Sequence, residues 1–187
     1  MASRFFSLCD AVDIPHRWRL DDPVDSQNRQ LDDWSFKSGI PVSIKGPLRI
    51  PIEQAGRPLD FSETNLGIPV VDVRVASIFQ ELALHDVQLI PSQIEGYPDQ
   101  YLVLVATRLI PCIDERVSQI RLWTHEDGVP HKLGQYKSVR NMRIDPVRAG
   151  DAKVFRPAGW EGVLVVSVEI KNALEQREFT GLSFEEV

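Results

Sequence analysis

The sequence is short of the residues that carry most small-protein chemistry. It holds two cysteines, Cys9 and Cys112, far apart and without CxxC spacing, in 187 residues. A disulfide scaffold and a cysteine-rich zinc site are therefore excluded. Met1–Cys9 is too short for a secretory signal, so the expectation is two free thiols in a reducing cytoplasm. Cys112 follows Pro111 at the end of an apolar run, the setting of a buried thiol rather than a nucleophile. The four histidines, His16, His85, His125 and His131, form neither HxH nor HExxH, and no pair has zinc spacing. GxSxG and a phosphate-cradling glycine loop are both missing. No apolar run approaches the roughly 18 residues that a membrane span requires.

What is present is the composition of a globular chain. Hydrophobic residues make up 43% and charged residues 26%, enough apolar surface to bury a core without metal or disulfide. One domain over residues 1–187 is expected, with a smaller N-terminal lobe over 1–68 as the other division. The net charge is −6 and the pI near 5.2, which argues against direct nucleic-acid binding. Sign is unevenly distributed. Asp10–Asp33 holds seven Asp against three Arg, whereas Lys132–Arg156 holds seven Lys and Arg against two Asp. The plain reading is two solvated surfaces; the sharper one makes either a docking face for a partner of opposite sign.

Thirteen prolines and eleven glycines cut the chain into short segments. Phe5–Leu8 and Trp18–Leu20 read as short strands, and Asp21–Asn28 as a loop. Ile40, Val42 and Ile44 alternate, as do Leu48, Ile50 and Ile52, with Gly46-Pro47 between them, which predicts a hairpin whose Pro51 marks an edge. Gly56–Gly67 reads as loop. Val75, Ile78, Phe79 and Leu82 recur at helical spacing behind Asp72, predicting a helix over 72–84. Val87–Ile90 is a short strand, and Tyr101–Ile110 one long strand buried on both faces. Gln119–Trp123 is expected to pair with it, and Met142 with Ile144 to lie on a half-exposed strand stopped by Asp145-Pro146. Gly162–Val166 is a strand, Ser167 caps a helix over 168–177, and Leu182–Val187 ends the chain as strand. The class is α+β, with a strand-rich mixed sheet core and two main helices.

Candidate chemistry is sparse. His125-Glu126-Asp127 reads as a polar turn, and Asp114-Glu115 converges only if a bend folds both carboxylates to one side. Asp21, Asp22, Asp25, Asp32 and Asp33 lack the order, glycine and closing glutamate of a calcium loop. Of the four tryptophans, Trp34 stands beside Asp32 and Asp33, an aromatic anchor flanked by carboxylates that suits a Lys- or Arg-rich surface. Trp123 and Trp160, with the basic segment, form the alternative: a non-enzymatic module holding an anionic small molecule. No catalytic residue, cofactor or metal ligand is assigned.

Several stretches carry a resemblance together: DIPHRWRLDDPVD (Asp13–Asp25), GRPLDFSETNLGIPVV (Gly56–Val71), DVQLIPSQIEG (Asp86–Gly96), YLVLVATRLIPCIDE (Tyr101–Glu115), RIDP (Arg143–Pro146), VFRPAGW (Val154–Trp160) and VSVEIKNALEQREFTGLSFEEV (Val166–Val187). In this order the chain resembles a myxobacterial-type immunity protein family of bacterial polymorphic toxin systems. The resemblance implies a small cytoplasmic protein that binds and sterically neutralises a cognate toxin, without catalysis of its own. It supplies no contact residues. Acidic surface suits a basic, nuclease-like toxin, and on that ground Asp21, Asp22, Asp32, Asp33 and Trp34 are the expected partner-binding residues.

Overall fold

The computed structural model describes residues 4–187. Its strands and helices, in chain order, are β1 (Phe5–Asp10), β2 (Arg19–Leu20), β3 (Leu48–Arg49), β4 (Ile52–Gln54), β5 (Phe61–Glu63), β6 (Pro69–Asp72), α1 (Val73–Leu82), β7 (Val87–Ile94), β8 (Tyr97–Ala106), β9 (Leu109–Ile110), β10 (Gln119–Leu122), β11 (Tyr136–Arg140), α2 (Pro146–Ala149), β12 (Val154–Pro157), β13 (Leu164–Ser167), α3 (Val168–Glu175) and β14 (Leu182–Glu186). This is the α+β, strand-rich architecture that the patterning predicts.

Two five-stranded sheets dominate, ordered β9-β12-β13-β1-β14 and β5-β6-β8-β7-β3. They share one connectivity. In each, an antiparallel strand pair (β12-β13, β5-β6) leads directly into a helix (α3, α1). The next strand (β14, β7) pairs with a further strand (β1, β8), which returns beside the second. Where β7 turns directly into β8, their counterparts β14 and β1 stand at opposite ends of the described chain. Each sheet gains one parallel edge strand, β9 on β12 and β3 on β7. The strand-to-helix joints match in sequence as well, Val70-Val71-Asp72-Val73 and Val165-Val166-Ser167-Val168. Asp72 accepts from Arg74 N–H at 2.8 Å and Ser167 from Ile170 N–H at 3.4 Å, so each helix starts at the polar side chain that ends its strand.

Period-two alternation divides the core into three clusters. The central one takes Phe6, Leu8, Val154, Leu164 and Val166 from one sheet and Phe61, Val71, Leu104 and Ala106 from the other. Val75, Ile78 and Phe79 of α1 and Ile170 and Leu174 of α3 join it. Val70, Val103 and Val105 face the opposite way, toward Trp18, Phe36 and Leu59 of the N-terminal third. Phe5, Phe155 and Val165 face Cys112, Ile113 and Ile144. Two aspartates tie the sheets together at equivalent places. Asp86, after α1, accepts from Lys153 N–H (2.7 Å) and Val154 N–H (3.3 Å) at the start of β12. Asp60, before β5, accepts from Thr180 N–H and Oγ1–H after α3, both at 2.7 Å. Gly181 follows at φ +90°, where an added Cβ would strike the Phe61 carbonyl oxygen, so only glycine lets this turn approach β5.

Five expectations need correction. The 40–52 hairpin is absent: Pro41–Lys45 is irregular, because the Gln88 side-chain amide binds both Val42 N–H (2.7 Å) and Val42 C=O (3.0 Å) as a neighbouring strand would. The 56–67 loop contains β5. The 101–110 run is broken at Thr107-Arg108, and its two ends enter different sheets; four consecutive residues from Val103 are nevertheless fully buried, since each face meets a different cluster. Gln119–Leu122 pairs with β11 rather than with that run, and Asp145-Pro146 opens α2, with Asp145 accepting from Val147 N–H.

Candidate functional site

The short 3₁₀ helix Asp33–Phe36 sets the site. Asp32 caps it, accepting from Trp34 N–H at 3.2 Å and, through its carbonyl, from Ser35 Oγ–H at 2.6 Å. Phe36 is fully buried in the N-terminal cluster. With three residues per turn, anchoring Phe36 inward turns Trp34 outward. Trp34 is 59% exposed, unlike Trp18, which is buried and donates to Ser62 Oγ at 2.8 Å. Lys37 turns inward, pairs with Asp33 at 3.6 Å and donates to the Leu66 carbonyl. Gly39, at φ +72°, lets this segment lie against Leu109, whose Cβ an added side chain would strike.

Between this segment and the C-terminal half runs an open cleft of about 690 Å³. Trp34, Lys37 and Ser38 form one wall; Leu109, Glu115, Leu122, Gly134–Tyr136, Gly159 and Glu161 form the other. Leu109 and Leu122 are exposed. Glu115 accepts from Tyr136 O–H through Oε1, and burial together with this bond pushes the Tyr136 phenol up to about 12. Glu161 accepts from Gly159 N–H through Oε1 at 2.7 Å. Bound to the backbone of Glu161, Arg156 is buried and donates through Nη1 to the Glu161 carbonyl at 2.8 Å, while its Nε and Nη2 have no partner among the described residues. Burial lowers its guanidinium to about 10, against the opposing pull of Glu63 and Glu161.

The remaining candidates sit around the neighbouring turn. Asp22 Oδ1 accepts from Thr64 Oγ1–H (2.6 Å) and Leu66 N–H (3.0 Å). Asp21 Oδ1 accepts from Asp22 N–H (2.8 Å) and Asn65 Nδ2–H (3.3 Å). Leu66 thus joins the Asp21-Asp22 pair to Lys37 and through it to Asp33. All five residues occupy one region, but their roles differ: Asp22 holds a turn, Asp32 a cap and Asp33 an ion pair, while Trp34 stands exposed on the cleft rim.

Elsewhere the polar candidates are occupied. Asp127 binds Thr124 and Lys137, and the Lys137 bond, with that from the Thr124 backbone N–H, holds its carboxyl down at about 2; it stays ionised as an anchor. Asp114 turns to Arg116 and Glu115 to Tyr136, so the adjacent carboxylates do not converge. Lys132 and Lys137 lie over the Trp123 ring at 5.2 and 4.7 Å, Trp160 packs against the third cluster, and neither tryptophan lines the cleft. Among the described residues no three His, Cys, Asp or Glu side chains could hold a metal ion together. Leu109, Leu122, Tyr136 and Glu161 escape sequence reasoning because separate elements carry them and no local pattern sets them apart.

Comparison with known families gives a match over nearly the whole chain. The model of an immunity protein family, Imm11, matches residues 10–187. No curated protein matches the chain.

Proposed function

Because the chain belongs to the immunity protein family Imm11, we propose that it protects by binding a cognate toxin and covering the toxin's active site, without chemistry of its own. The site of action is the cytoplasm of the producing cell, and the toxin is a basic protein, of which a nuclease is the fitting kind. The toxin face centres on Trp34 with Asp32 and Asp33 beside it, and Asp21 and Asp22 behind. One observation carries this reading: a tryptophan 59% exposed on the rim of a cleft, held there by a buried neighbour and a capped turn. Large aromatics with charged flanks are what tight interfaces desolvate at their centre. No membrane-crossing helix is found among the described residues.

The test is co-expression with the protein encoded beside this chain's gene. The expected result is a stable complex and relief of that neighbour's toxicity, both weakened in Trp34→Ala and in Asp32→Lys/Asp33→Lys. No complex and no toxicity would overturn the reading. Unchanged affinity and unchanged salt dependence in both variants would overturn the assigned face.

A further inference from the structure

Resting on that reading, we infer that the cleft is an acceptor for a single arginine side chain of the toxin. Three features converge on this chemistry. First, the walls are long and apolar where an aliphatic stem would lie, with Leu109 and Leu122 exposed on one side and the Trp34 ring on the other. Second, two carboxylates face the same space. Glu115 and Glu161 each use Oε1 for one internal bond, to Tyr136 O–H and Gly159 N–H. Each Oε2 is left without a bonded partner among the described residues. Third, the cation of the cleft is already committed: Lys37 pairs with Asp33 and donates to the Leu66 carbonyl. Arg156, buried, offsets part of the Glu161 charge but does not line the cleft.

A planar guanidinium fits this set better than an ammonium. Its five donors spread over two carboxylates while its face stacks on an indole. An acidic or neutral anchor would place a charge or an unpaired dipole against two carboxylates, which the same geometry rejects. The cleft thereby sets which toxins are accepted, a role separate from the sheer area that the body covers.

Two measurements test this. In the first, the folded chain is titrated with N-acetyl-arginine amide while the Trp34 indole N–H is followed by NMR; N-acetyl-citrulline amide, isosteric and uncharged, is the comparison. A saturable Trp34 shift is expected with the arginine derivative, at least threefold weaker with citrulline and in Glu115→Gln/Glu161→Gln. Equal response to both probes, or none, overturns the proposal. In the second, affinity for the neighbouring gene's protein is measured. A loss of tenfold or more in Glu115→Gln/Glu161→Gln, with a shallower salt dependence, is expected. Wild-type affinity in that variant overturns the arginine site while leaving the immunity reading intact. If the neighbour does not bind even the unaltered chain, the immunity reading fails, and the arginine titration alone decides the cleft.

Discussion

Removing Asp86 should separate the two sheets energetically. Its side chain is 7% exposed and bridges from the end of α1 to the start of β12. Asp86→Ala strips the acceptor from Lys153 N–H, bound at 2.7 Å, and from Val154 N–H, bound at 3.3 Å. Arg108 keeps Asp151 at 3.0 Å, so its loss is small. An orphaned buried donor costs about 1–3 kcal/mol; the Lys153 bond is part-buried and the Val154 bond long, so each falls in the lower half of that range and the variant should lose about 3 kcal/mol. Asp60→Ala releases Thr180 N–H and Oγ1–H in the matching link. Water reaches that half-buried site more easily, so about 2 kcal/mol is expected. The double variant should lose close to the sum, because the links share no partner. Urea unfolding followed by circular dichroism and tryptophan fluorescence measures this, with an unchanged slope on denaturant as the two-state control. Asp86→Asn keeps an acceptor oxygen and should lose less than half as much. A loss under about 0.5 kcal/mol in Asp86→Ala would refute the claim that this carboxylate joins the sheets.

Other outcomes follow from single sites. Asp127 titrates near 2, below its ordinary 3.8, so its contribution to stability is complete above the ordinary value and is lost as pH falls through about 2. The Trp123 indole resonance should report a transition there, and Lys137→Met should move the midpoint upward. Burial pushes the Cys112 thiol up to about 11 and shields it from solvent; partial burial raises the Cys9 thiol as well, but Cys9 is exposed. Iodoacetamide at pH 8 should therefore label one thiol per folded chain and two in urea; two in the folded chain would contradict the buried site. Gly181→Ala combines a strained φ with a clash on Phe61 and should lower the melting temperature by several degrees, about 2 kcal/mol, in a calorimetric scan.

Much of this architecture is written locally. The helix at Val73–Leu82 is legible because Val75, Ile78 and Phe79 recur on one face directly after a capping aspartate. Ser167 announces α3 in the same way. The capped turn that displays Trp34 is local too, since Asp32 and Phe36 lie within one turn of it. The errors share a cause. Alternation at Ile40–Ile44 promises a strand, yet a strand needs a partner, and the Gln88 side chain takes that place. The run from Tyr101 to Ile110 is nearly continuous in apolar residues because three clusters and two sheets draw on it, a division that hydropathy alone does not mark.

The sequence by itself determined the α+β class, both main helices with their caps and the buried Cys112, since short-range hydrogen bonding and periodicity act within a few residues of each position; the family is carried by the order of segments along residues 10–187. Only the tertiary structure decided that the two sheets repeat one connectivity, with β1 completing a unit whose other strands lie more than 140 residues away. It also decided the cleft. Trp34, Leu109, Glu115, Tyr136 and Glu161 meet because strand pairing and the close approach of Gly39 to Leu109 join segments that no local rule relates.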